Sequence, residues 1–205
     1  MTTPALMIQG TSSNAGKSWL TAALCRIFSD MGKNVMPFKA QNMTGSAWAL
    51  ENGRRMSGSQ VLQAIAARQK PDPAMNPVLL MPRSQTGSEV VLLGESYGVM
   101  GISQYTQFKR TTAFRAAQHA YDSLAAKAAI VVLEGAVSPA ELNLKAHDIV
   151  TMRIALHARA PVLLVGHLDR GGVLPPLFRT TDPRPPAAMH PFAAPVLHNF
   201  RVAPP

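Results

Sequence analysis

The run Gly10-Thr11-Ser12-Ser13-Asn14-Ala15-Gly16-Lys17-Ser18 reads as a phosphate-binding loop of the G-x-x-x-x-G-K-[ST] type. Glycines let the backbone wrap close to phosphate oxygens, and successive N–H groups then point inward. The following helix adds the positive end of its dipole. In that geometry Lys17 reaches the β- and γ-phosphates, and the Ser18 hydroxyl takes a place on Mg²⁺. A loop of this kind needs an acid on the metal side. Glu134 fills that role, because it follows the apolar stretch Ile130–Leu133 and would sit at the tip of a central strand. Lys39, just after Asn34–Phe38, offers a second cation where phosphoryl transfer develops charge. Gln41 and Asn42 add neutral donors and acceptors to the same loop. Asp169-Arg170-Gly171-Gly172 ends a further apolar segment and has two readings, a ligand-edge pair or an ion-paired turn with a Gly-Gly hinge.

Positioning these groups requires strands that end where the chemistry begins. Ala5–Ile8, Ile130–Leu133 and Val162–Val165 are apolar without polar alternation, as central parallel strands are. Asn34–Phe38 is a fourth strand candidate and Val90–Leu93 a shorter fifth. Lys17–Met31 carries apolar residues at helical spacing and stops before Gly32. Gln60–Gln69, Thr112–Ala128 and Leu144–His157 complete the expected helices. Alternating strands and helices predict an α/β fold: a three-layer, doubly wound, mostly parallel sheet of the P-loop NTPase kind. The pattern holds over residues 1–173. Leu174–Pro205 contains 9 of the 17 prolines and shows neither period, so it is expected to be an irregular, divergent tail.

The chain of 205 residues can bury one full core, and 47% hydrophobic with 15% charged residues is globular composition. The lone Cys25 excludes a disulfide framework and a Cys-rich zinc site, and fits a reducing, cytoplasmic setting. No signal peptide is expected from the N-terminus, and the apolar runs are too short to span a bilayer, so no membrane partner is expected. A net charge of +9 comes from scattered lysines and arginines with few aromatics. That spacing argues against nucleic acid and for anionic small molecules in a positive cleft.

Longer segments carry a resemblance. The loop at Gly10–Ser18, Pro37-Phe-Lys-Ala-Gln-Asn-Met43, Met75-Asn-Pro-Val-Leu-Leu80, Glu134-Gly-Ala, Ser138–Leu144, Asp148-Ile-Val150 and Ala160–Gly166 with Asp169–Val173 are similar to the cobyric acid synthase family. These are glutamine-dependent amidotransferases of cobalamin biosynthesis, related to dethiobiotin synthetase-like enzymes. The resemblance implies ATP and Mg²⁺ as cofactors and a corrinoid, adenosylcobyrinic acid a,c-diamide, as substrate. ATP would phosphorylate a side-chain carboxylate, and ammonia would displace the phosphate. It implies Lys17 and Lys39 as catalytic cations and Ser18 and Glu134 as metal ligands. Gln41, Asn42, Asn76, Asn143, Asp169 and Arg170 would fall on the substrate side.

The chain departs from the family pattern in places. The family's C-terminal glutaminase domain is not seen, and Cys25, inside the helix after the loop, is not its nucleophile. Ammonia, or a separate glutaminase, would then be the nitrogen source, with a homodimer as candidate assembly. Val137 stands where the family has glycine, His167 where it has an acid, and Ser57–Gln60 replaces a Gly-Arg-Ala-Gln run. A dethiobiotin synthetase-like carboxylate-activating enzyme and a nucleotide-binding remnant without catalysis stay open as alternatives.

Overall fold

The computed structural model describes residues 2–83, 87–136, 149–167 and 192–198. Five parallel strands form the main sheet: β1 (Ala5–Gly10), β2 (Val35–Phe38), β9 (Ile130–Glu134), β10 (Val162–His167) and β11 (Phe192–His198), in the order β11-β10-β1-β9-β2. β1 lies in the middle. Ile8 is level with Glu134 of β9 on one side and with Leu163 of β10 on the other. From β1 the chain crosses to the edge strand β2, returns to β9 between them, and then passes to the other side of β1 as β10 and β11. A crevice opens beyond the carboxyl ends of strands arranged this way, at the point where the order reverses.

Successive residues of each strand feed opposite faces, as a period of two requires. Met7, Val131, Leu133, Met36 and Phe38 pack with Ala117, Tyr121, Leu124 and Ile154. These last come from α4 (Phe114–Ala125) and α5 (Met152–His157). Ile8, Val132, Val35 and Val165 face the other way, onto Cys25, Leu20, Leu24 and Phe28 of α1 (Lys17–Asp30). Both faces of the sheet are covered, which is why its strands read as unbroken apolar runs. Phe38 is fully buried and meets the Tyr121 ring edge-on at 5.5 Å between centroids. Truncating such a residue to alanine costs about 3–5 kcal/mol.

The expected three-layer architecture is present, with four differences. First, residues 41–101 carry a second sheet that the sequence pattern did not reveal. Its strands are β3 (Gln41–Met43), β6 (Val78–Pro82), β7 (Gly87–Leu92) and β8 (Glu95–Gly101), in the order β3-β6-β7-β8. The expected strand Val90–Leu93 falls on β7, but it pairs antiparallel with both neighbours. Its hairpin to β8 turns through Leu93 and Gly94, both at positive φ, and a Cβ on Gly94 would press 2.7 Å from Arg54. A separate small hairpin joins β4 (Trp48–Ala49) to β5 (Arg55–Met56). Second, the tail expected to be irregular supplies β11, paired in parallel with β10. Pro195 hid this strand; a proline is tolerated there because β11 is the sheet's edge. Third, the helix expected at Thr112–Ala128 starts as a π-helical turn, Lys109–Ala113, after α3 (Ile102–Phe108). Fourth, only Met152–His157 of the expected helix Leu144–His157 is helical among the described residues. The expected helix at Gln60–Gln69 is α2 (Gly58–Ala66), which starts two residues and ends three residues earlier. Among the described residues no helix is long and apolar enough to cross a membrane.

Candidate functional site

The loop Thr11–Gly16 joins the end of β1 to α1 at the carboxyl edge of the main sheet. Five residues separate Gly10 from Gly16, one more than the G-x-x-x-x-G-K-[ST] spacing expected of it. The chain turns through Asn14 at φ 62 and Gly16 at φ 91, left-handed conformations that let α1 begin at Lys17. Gly16 is the N-cap and brings no side chain, so α1 has no side-chain cap at its first turn. Thr11 and Ser12 are half-buried, Ser13 and Asn14 are exposed, and Ala15 is packed beneath the loop.

Lys17 folds back over the sheet edge. Its Nζ donates to the Ser12 carbonyl at 2.9 Å, and a Cβ on Gly10 would lie 2.9 Å from that same Nζ. A side chain at Gly10 would therefore push Lys17 out of this position. Lys17 is only 6% exposed. Burial, then the charge of Lys39, pulls its ammonium down to about 8, with Glu134 opposing the change.

Glu134, 1% exposed, ends β9 beside the loop. Its Oε1 accepts from the Ser18 hydroxyl at 2.8 Å and from Lys39 Nζ at 2.6 Å. Its Oε2 accepts from the amides of Gln63 at 2.5 Å and Gln60 at 3.3 Å. The expected metal pair, Ser18 and Glu134, therefore converges, and a hydroxyl with a carboxylate is the oxygen donor set that Mg²⁺ takes. The residues present fit the ion.

The other expected residues divide. Gln41 lies on β3 and accepts from the Tyr105 hydroxyl at 2.7 Å. Asn42 turns inward: its Nδ2 reaches Ser57 at 2.8 Å, Ser59 at 3.1 Å and Gln60 at 2.8 Å. Asn76 is 1% exposed and fully engaged by the fold. It donates to the carbonyls of Lys39 and Val78 and accepts from the Ser57 amide. Asn76, expected on the substrate side, braces the Lys39 backbone against the start of α2. Asn143, Asp169 and Arg170 lie outside the described residues, as does Val137. Cys25 is buried, and burial pushes its thiol up to about 12, with Glu134 adding to the effect, which favours the thiol over the nucleophilic thiolate.

Sequence reasoning missed Gln60 and Gln63. Their signal was present: two glutamines three apart on the face of an Ala-rich helix that also carries the buried Ala64 and Ala67.

A parallel sheet with this loop at its switch point defines the class, a P-loop nucleotide-binding domain. The chain belongs to the CobQ/CobB/MinD/ParA nucleotide-binding domain family, whose model matches residues 6–163. Among its relatives is a cobyric acid synthase of Nitratidesulfovibrio vulgaris, 54% identical over 199 residues. That match covers 97% of this chain and 36% of the relative. A cobyric acid synthase of Desulfitobacterium hafniense is 46% identical over 196 residues, covering 96% and 38%. The adenosylcobalamin biosynthesis bifunctional protein CobDQ of Leptospira interrogans is 46% identical over 180 residues, covering 88% and 21%. The chain thus spans little more than a third of these relatives at most. The signal recognition particle receptor FtsY of Elizabethkingia anophelis shares the fold at a TM-score of 0.50 and 15% identity, over 95% of this chain and 49% of that one.

Proposed function

We propose that this chain is the ATP-dependent carboxylate-activating part of a cobyric acid synthase. It would act on adenosylcobyrinic acid a,c-diamide on the way to adenosylcobyric acid. The observation that carries the reading is the convergence of Lys17, Lys39, Ser18 and Glu134 on one sheet edge, with Ser18 and Glu134 in contact at 2.8 Å. The resemblance of Pro37–Met43 and Met75–Leu80 to the corrinoid enzymes, and the names of the relatives, supply the substrate.

In this reading the loop amides and Lys17 hold the β- and γ-phosphates. Ser18 and Glu134 hold Mg²⁺, which when bound neutralises phosphate charge. Lys39 lies within reach of the γ-phosphate and offsets the charge that develops there. A substrate carboxylate oxygen attacks the γ-phosphorus; ADP leaves and an acyl phosphate remains. Ammonia then attacks the acyl carbon and expels inorganic phosphate, leaving an amide. The nitrogen comes from free ammonia or from glutamine hydrolysed by a glutaminase. The cell compartment is the cytoplasm, and the assembly is a homodimer.

The test is amide formation on the corrinoid acid with ATP, Mg²⁺ and ammonium, followed with phosphate release. Amide and phosphate appearing in equal amounts support the reading. ATP binding with neither product removes the catalytic part of it.

A further inference from the structure

Glutamine is rarely fully buried, because each unsatisfied amide atom in an apolar interior costs free energy. Gln60 and Gln63 are both 0% exposed. They stand one turn apart on α2 and both direct Nε2 at the same oxygen, Glu134 Oε2. Gln63 Nε2 also lies 3.4 Å from the Ser18 carbonyl, so α2 touches both expected metal ligands.

The orientation of Gln60 is fixed from two ends. The Met43 backbone N–H can only donate, and it donates to Asn42 Oδ1 at 2.9 Å. Asn42 therefore presents its Nδ2 to Gln60 Oε1, at 2.8 Å. Gln60 then has only its Nε2 left for Glu134. From the far end, an ionised carboxylate accepts and never donates, which demands the same orientation. A chain of amides runs from β3 to the acid with one polarity throughout. It has a physical consequence: neutral donors fix the direction of the carboxylate and add no positive charge to that of Lys39, already on Oε1 at 2.6 Å, so a second cation can still be taken.

We infer that Gln60 and Gln63 are positioning residues that aim Glu134 at the metal. On this inference Asn42 acts through Gln60 instead of touching substrate. The inference rests on the reading of Glu134 as the metal-side acid, and deepens it. Partners one shell out from a metal ligand typically set metal affinity by ten- to a hundredfold.

The test is the Mg²⁺ concentration that half-saturates the enhancement of ATP binding, measured by calorimetry on the full chain. Metal-free ATP affinity and the thermal midpoint are read alongside. Gln63→Met keeps the volume and removes the donor. It should raise the Mg²⁺ requirement about tenfold, and Gln60→Met with it should raise it further, while metal-free affinity stays within about twofold. Asn42→Leu should raise the requirement by a smaller factor. Gln63→Asn, which keeps the amide but withdraws it by one methylene, provides the same measurement if the methionine variant does not fold. Equal losses with and without metal would mean that the glutamines only hold α2, and would overturn the inference. So would an unchanged Mg²⁺ requirement. A change in corrinoid KM alone in Asn42→Leu would return Asn42 to the substrate. Glu134→Gln, run in parallel, separates the two levels. If it raises the requirement and the glutamine variants do not, positioning alone fails; if it does not, the metal-side reading fails with it.

Discussion

Two buried carboxylates sit on the two sheets of this protein, and their surroundings differ. Glu89, on β7 of the second, mixed sheet, is clasped by the guanidinium groups of Arg55 and Arg83 and by the Ser96 hydroxyl. Those donors, Arg55 first, hold its carboxyl down at about 2. Glu134, on the parallel sheet, has one lysine and three neutral donors. Two cations against one anion leave Glu89 nothing to offer a ligand. It staples β5 and the end of β6 to the middle of the sheet. One cation and an array of neutral donors leave Glu134 held in place and still able to take a second positive partner. Burial alone does not mark a functional acid; what surrounds it does.

That contrast can be broken at several points. The largest effect is expected from Lys17→Ala. Removing a charge-assisted grip on buried phosphates should lower ATP affinity about a hundredfold in calorimetry. Unchanged affinity would move the phosphates elsewhere. Glu134→Gln should weaken magnesium-dependent ATP binding by about tenfold or more while metal-free binding moves little. Equal weakening would remove Glu134 from the metal. Glu89→Gln should do the reverse, leaving ATP affinity alone while lowering stability by about 1–3 kcal/mol in urea unfolding. The pH dependence sharpens the same point. The folded-state value of Glu89 lies below the ordinary 4.5, so its contribution is complete above that value. It is lost as pH falls from about 4.5 towards 2, and this part of the acid unfolding curve should vanish in Glu89→Gln. The smallest effect is expected at Cys25: its thiol should resist alkylation at pH 8 in the folded chain and react once urea unfolds it. Ready alkylation of the native protein would contradict the packing of α1 on the sheet.

The parallel sheet and its loop were legible in the sequence because the signals are local. Ala5–Ile8, Ile130–Leu133 and Val162–Val165 are unbroken apolar runs; the loop follows the first of them and Glu134 the second. Lys39 and Glu134 were found by their place at strand ends. The second, mixed sheet was not legible. Its β3 has only three residues, and the exposed outer strand β8 mixes Glu95, Ser96 and Gly98 with Tyr97 and Val99, without a clean alternation. β11 was concealed by Pro195 and by the proline density around it. Gln60 and Gln63 were legible as helix but not as site. What makes them matter is a carboxylate 74 and 71 residues away along the chain.

The pairing of Ile8 with Glu134 across β1 and β9 has one more implication. The Gly135 amide donates to the Ile8 carbonyl at 2.8 Å immediately afterwards, which pins that alignment. Deleting a single amino acid anywhere in Ile130–Leu133 would carry the acid down by about 3.3 Å and turn it to the opposite side of the sheet. Length changes between Thr44 and Gly53 would leave it untouched. Insertional variation in this protein is therefore expected to accumulate in that surface stretch and to avoid the four positions that measure out the reach of the carboxylate.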